Sequence, residues 1–228
     1  SPIDSGNMNR VFPGNPEGTL TEKIADYFQR YLLPLADYVV DFHSGGKTME
    51  FLPFCCAHVL DDKEQQSRCV AAMEAFNAPH SMMLLELEAD NMYDTAAENM
   101  GKVFIGTELA GGGSATATTV AIAKKGIRNI LRHAGITEGE LEVADTISLD
   151  MPDQSCFIFS ESTGLLELCI ELGAKVKAGD LIAFVHPIER TGLAPTAYHA
   201  AIDGIFSGRH FPGKIAMGDF LGVIAVPM

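Results

Sequence analysis

Apolar residues recur every three or four positions at Ile24, Tyr27, Phe28 and Tyr31, behind a capping Thr19 or Thr21. That spacing predicts an amphipathic helix over residues 19–33, ending before Pro34. The run Tyr38-Val39-Val40-Asp41-Phe42 is β-branched and aromatic and leads straight into His43-Ser44-Gly45-Gly46, so it reads as a buried strand that delivers a polar loop. A helix is expected over 61–76, strands over 82–88 and 103–109, and a long helix over 114–133 stopped at Gly135. Gly111-Gly112-Gly113 breaks the chain after the second of these strands.

Strands alternating with helices imply an α/β layered sandwich over residues 1–140. Past Glu140 the helical period disappears. Short apolar runs are punctuated by turns such as Lys177-Ala178-Gly179-Asp180-Leu181, Asp203-Gly204-Ile205 and Met217-Gly218-Asp219, which predicts a separate all-β domain over 141–228. Within it the steps Gly179-Asp180-Leu181 and Gly218-Asp219-Phe220 suggest a weak internal repeat.

Composition narrows the function classes. The 228 residues, 47% hydrophobic and 20% charged, are those of an ordinary folded chain able to bury a core. The formal net charge of −14, with no Lys/Arg cluster against it, argues against nucleic acid or an anionic membrane as a partner. The longest apolar runs, 179–187 and 82–87, fall well short of the roughly 20 residues needed to span a bilayer. Five cysteines without CxxC spacing resemble neither a disulfide framework nor a zinc knuckle, so a reducing, cytoplasmic setting is expected. The sequence opens Ser1-Pro2-Ile3-Asp4 without Met or a basic, apolar leader and is expected to be the interior of a longer protein.

Three segments carry candidate chemistry. Asn7-Met8-Asn9-Arg10-Val11-Phe12-Pro13-Gly14 sets a guanidinium beside two amides, a combination that can hold a carboxylate through parallel N–H bonds. His43 lies where ligands of open α/β sheets collect, beyond a strand's carboxyl end, and neutral imidazole is a common zinc ligand. Asp41 points to the same side of the strand two residues back and can orient it. Glu108 ends an apolar strand before the glycine run, where desolvation would raise its pKa and suit it to general-base work. Each also has a plainer reading: a surface Arg among turn-forming asparagines, a strand-end His that only hydrogen-bonds, and an edge-strand Glu in solvent.

Taken in order, Asn7-Met8-Asn9-Arg10, Asp41-Phe42-His43-Ser44-Gly45 and Thr107-Glu108-Leu109-Ala110-Gly111-Gly112 resemble the successive active-site blocks of the succinylglutamate desuccinylase/aspartoacylase family. The resemblance extends over essentially the whole chain. It is strongest to bacterial deacetylases acting on N-acetyl-2,4-diaminobutyrate, through Asn9 to Gly14 and Asp41 to Gly46. It implies a zinc-carboxypeptidase-like three-layer α/β sandwich, here N-terminally truncated, followed by a small β barrel. It also implies zinc-dependent hydrolysis of the amide of a small N-acyl amino acid.

By the same resemblance His43 is a zinc ligand, Asp41 supports it from behind, Asn9 and Arg10 clamp a substrate carboxylate and Glu108 is the catalytic carboxylate. The family's His-x-x-Glu ligand pair and a carbonyl-polarising Arg just before Asn9-Arg10 are absent from this sequence. One upstream region would account for both, and the chain by itself is expected to bind zinc poorly and to be inactive. A homo-oligomer is compatible with this reading.

The acidic residues Glu86, Glu88, Asp90, Asp94 and Glu98 crowd the approach to Glu108. They would welcome a substrate with a cationic side chain, or they form a solvated acidic face. Competing readings are a zinc-free binding protein for acylated amino acids and a carboxypeptidase-like peptidase. A third is a swinging-arm carrier, since the tail from Gly173 to Gly204 resembles a biotinyl/lipoyl-like barrel. The carrier reading needs a Lys exposed at a hairpin tip between residues of the Met-Lys-Met or Asp-Lys-Ala type, and Lys214 in Gly213-Lys214-Ile215-Ala216-Met217 lacks those neighbours.

Overall fold

The computed structural model describes residues 1–85, 90–189 and 192–228. The first predicted helix forms as α1 (Leu20–Tyr27), begun by a capping box in which Thr19 and Glu22 each accept the other's backbone N–H. It then loosens into a wider turn over Phe28–Leu32 and tightens into a 3-10 turn over Leu33–Leu35, so the chain coils one turn past the expected stop. Pro34 fits there because it lies in the first turn of that short helix, where its missing N–H leaves nothing unbonded.

The other helices are α2 (Lys63–Phe76), capped by Asp62, α3 (Tyr93–Glu98) and α4 (Ala117–His133), capped by Thr116. The expected helix over 114–133 therefore starts three residues late, because Thr116 must stay extended to cap it. Helix α3, six residues long, is too short to show a period in the sequence.

Strands β1 (Tyr38–His43), β2 (Met49–Phe51), β3 (Phe54–His58), β4 (His80–Leu84), β5 (Val103–Glu108) and β6 (Ile147–Asp150) precede a β-rich tail. That tail contains β7 (Phe157–Phe159), β8 (Gly164–Leu168), β9 (Lys175–Val176), β10 (Leu181–His186), β11 (Thr196–His199), β12 (Gly204–His210), β13 (Lys214–Ile215) and β14 (Phe220–Pro227). Strand β4 begins earlier than expected because parallel pairing with β3 fixes its ladder from His80 to Leu84. Residues 86–89, within the expected strand, lie outside the described residues.

The main sheet runs β1-β5-β3-β4-β6-β14-β12-β2. Its hydrogen bonding crosses position 140 without a break, since β6 pairs with β4 on one side and with the last strand, β14, on the other. The change at 140 is thus one of texture along the chain, and the tail's own last strand is built into the shared sheet.

Helices cover both faces near β1 and β5. Phe76 of α2 and Ile130 of α4 pack with Cys55, Val103 and Ile105 on one face, while Leu33, Val39, Ala97 and Phe104 pack on the other. The tail closes a second core between the sheet β11-β10-β8-β13 and the ends of β12 and β14, around Ile182, Phe206, Leu221 and Ile224. Its suspected repeat is one turn built twice. Gly179 and Gly218 have φ of +94° and +90°, and Asp180 and Asp219 each accept the backbone N–H three residues back. Lys214 lies within strand β13, paired to Leu165, and so away from a hairpin tip. Among the described residues no helix is long and apolar enough to cross a membrane.

Candidate active site

Neighbouring parallel strands β1 and β5 pair Val39 with Phe104, Asp41 with Gly106 and His43 with Glu108. Side chains alternate along a strand, so every second residue shares a face. Val39 and Phe104 face the cluster with Leu33 and Ala97, and Asp41, His43 and Glu108 therefore leave the sheet on that same face, at its carboxyl edge. Gly106 opposite Asp41 keeps the wall low there; a Cβ on it would meet Cys56 Sγ at 3.1 Å.

The segment before α1 is brought over this edge by its own anchors. Phe12 is buried and rests its ring 4.9 Å from that of Tyr93. Asn9 Oδ1 accepts the Tyr93 backbone N–H at 2.6 Å, which turns the Asn9 amide so that its NH2 is the free end. Arg10 donates to the Asn9 carbonyl and makes no ion pair among the described residues. Asn9, Arg10, Asp41, His43 and Glu108 line one cavity of about 780 Å³. All five residues singled out from the sequence thus meet in one place.

The loops that leave β1 and β5 cross each other closely, which explains their glycines. A Cβ on Gly111 would come within 1.9 Å of the Met49 carbonyl oxygen, and one on Gly45 within 2.4 Å of the same atom. Gly45 N–H donates to the Ala110 carbonyl and Glu50 bridges to Gly111, so β2 is laid beside the exit of β5. Arg209 of β12 then grips Glu50 with two nitrogens, which draws the β tail up to the rim. Phe157, Ser207 and Phe220 of the tail consequently line the same cavity.

Electrostatics separate the acids. His43 Nε2 meets Asp41 Oδ2 at 2.6 Å, and that hydrogen bond raises the His43 pKa against the opposing effect of burial. Glu108 is pushed up from 4.5 to about 7, chiefly by burial, with His43 pulling it back and Asp41 adding to the rise. Its Oε2 is buried with no hydrogen-bond partner among the described residues. A carboxyl in that state can take or give a proton near neutral pH.

A buried pair, His58 Nδ1 to Glu98 Oε1 at 2.9 Å, lies in the same region, with His58 on the cavity wall and stacked over Phe104. Sequence reasoning missed it because β3 is a fully buried apolar run without a period and α3 is short. The five acids expected to crowd Glu108 divide. Asp94 is buried on the cavity wall, Glu98 is spent on His58, Asp90 is exposed, and Glu86 and Glu88 lie outside the described residues.

The fit to a zinc ion is incomplete. Structural and catalytic zinc sites use at least three protein ligands, and among the described residues no three His, Cys, Asp or Glu side chains are arranged so that they could hold a metal ion. His43 brings one imidazole, already bonded to Asp41, and these residues on their own do not form a metal site.

Comparison with known proteins gives a consistent result. Residues 2–134 match the model of the succinylglutamate desuccinylase/aspartoacylase catalytic domain. The chain is 52% identical over 227 residues to the N-alpha-acetyl-L-2,4-diaminobutyric acid deacetylase of Halomonas elongata, covering 99% of this chain and 66% of that protein. It is 59% identical to the ectoine utilization protein EutE (DoeB) of Ruegeria pomeroyi in its product-bound structure, with a TM-score of 0.96 over 99% of this chain and 69% of that one. A succinylglutamate desuccinylase from a Silicibacter species gives 57% identity and a TM-score of 0.97 over 100% of this chain and 69% of that one. The mixed α/β fold is shared with these structures, and the chain spans about two thirds of the length of its relatives.

Proposed function

The chain belongs to the succinylglutamate desuccinylase/aspartoacylase family, and from that premise we propose that its protein is a deacylase that hydrolyses the amide of N-acetyl-2,4-diaminobutyrate, releasing acetate and the free amine. The observation that carries the reading is the Glu108 carboxyl, whose buried Oε2 has no hydrogen-bond partner among the described residues and which is poised near neutrality in the cavity that also holds Arg10 and His43.

In this reading Arg10 takes the substrate carboxylate through two N–H bonds and the Asn9 NH2 adds a third, which fixes the scissile amide in the cavity. Glu108 Oε2 accepts a proton from the attacking water as its oxygen bonds to the carbonyl carbon. It returns that proton to the amine nitrogen as the C–N bond breaks. Asp41 holds the His43 ring in place.

Zinc is part of the proposal, with His43 as one ligand. The others would come from the part of the relatives that this chain does not span. A bound zinc supplies an acidified water and a Lewis acid for the carbonyl. The α/β part and the β-rich tail are proposed to be the sandwich and the barrel-like domain of the family, the tail narrowing access to the cavity for small substrates.

The test is acetate release from N-acetyl-2,4-diaminobutyrate by the full-length protein, alongside metal content by mass spectrometry. Turnover that vanishes with a chelator and returns with zinc is expected. Absence of turnover by the zinc-loaded protein, with tight binding of the substrate, would instead establish a binding protein.

A further inference from the structure

Asp94 is 7% exposed, yet it lies on the wall of the 780 Å³ cavity. A carboxylate in such a place needs a cation or several hydrogen bonds to offset lost hydration. Its Oδ1 accepts only the neighbouring Thr95 N–H and hydroxyl, and Oδ2 accepts from no described residue. Among the described residues the other acids drawn into the fold around this cavity are matched: Asp26 with Arg30, Asp41 with His43, Glu98 with His58. Glu108 is the exception, and the proposed reaction uses it.

Among the described residues Arg10 is the one permanently cationic side chain on the cavity wall. A substrate carboxylate held by Arg10 leaves Asp94 as an unanswered negative charge inside a half-closed space. A second carboxylate on the substrate would find no cation there, whereas an ammonium group would find Asp94.

We propose that Asp94 is a specificity-determining residue, which receives the free side-chain ammonium of the substrate opposite the carboxylate held by Arg10. The inference rests on the proposed deacylase reading and deepens it. The substrate class becomes N-acyl amino acids with one carboxylate and one cationic side chain, and N-acyl dicarboxylic amino acids are rejected by the same charge.

The experiment uses the full-length enzyme and two substrates that differ only in the amine, N-acetyl-2,4-diaminobutyrate and N-acetyl-2-aminobutyrate. Asp94→Asn keeps an Oδ1 for Thr95 and removes the charge. The variant is expected to lose roughly ten- to a hundred-fold in kcat/KM on the diamino substrate, the worth of one hydrogen bond to a charged group, and to stay within about threefold on the other. Asp94→Ser, a second neutral variant, is expected to show the same split, and Asp94→Glu to retain the wild-type preference.

Equal losses on both substrates, or a wild-type preference that survives in Asp94→Asn and Asp94→Ser, overturn the proposal. If the wild-type enzyme turns over neither compound, the deacylase reading fails by itself, and calorimetric binding decides about Asp94. Binding of 2,4-diaminobutyrate that weakens in Asp94→Asn while 2-aminobutyrate is unaffected supports it, and equal affinities in wild type and variant overturn it.

Discussion

Glu108 ought to make this chain less stable as the pH rises, and replacing it should remove that loss. Burial carries its carboxyl from 4.5 to about 7, so the unfolded chain gives up the proton before the folded one does. A folded-state pKa above the unfolded value means that the associated stability is fully present below pH 4.5 and is lost as the pH climbs through 7. At about 1.4 kcal/mol for each factor of ten, the full effect is about 3 kcal/mol, of which about 2.5 kcal/mol falls between pH 5 and pH 8.

The perturbation is Glu108→Gln, and the assay is urea unfolding of the chain at both pH values with a chelator present, since a bound cation would favour the ionised carboxylate. Comparing the pH-induced change in wild type with that in the variant cancels the fixed effect of burying an amide. Wild type is expected to lose about 2.5 kcal/mol more than Glu108→Gln over this interval, the variant having nothing to titrate at that position. Parallel pH dependences, within about 0.5 kcal/mol, would show that Glu108 is solvated like an ordinary surface acid, and the argument for a poised base would go with it.

Arg10→Ala in the full-length enzyme is expected to raise KM by roughly ten- to a hundred-fold with a much smaller change in kcat, because a carboxylate clamp acts on ground and transition states alike. Steady-state kinetics check this, and Arg10→Lys should recover only part of the loss. Gly111→Ala would drive a Cβ to 1.9 Å from the Met49 carbonyl oxygen, so the crossing of the two loops must open; a loss of about 2 kcal/mol or more, read by thermal unfolding, is expected.

Much of the chemistry was readable one residue at a time. The β-branched and aromatic run from Tyr38 to Phe42 placed His43 at a strand exit, and the apolar run before Glu108 placed that acid at another. Capping residues marked α1, and turn signals announced the β-rich tail. These features are local: side-chain period, caps and turns act within a few residues, so the linear order suffices to reveal them.

Tertiary structure decided what the linear order leaves open. Strand β5 pairs with β1 across sixty-odd residues of chain, in the one register that sets His43 beside Glu108; a slip of one residue would turn Glu108 to the opposite face. Only packing told Asp94 on the cavity wall from exposed Asp90, and only packing revealed the His58–Glu98 pair. The glycines after β1 and β5, readable as loose turns, prove to be where two loops touch. The last strand entering the main sheet beside β6 was equally invisible, because long-range pairing depends on which edges the rest of the fold leaves free, and no short window of sequence contains that information.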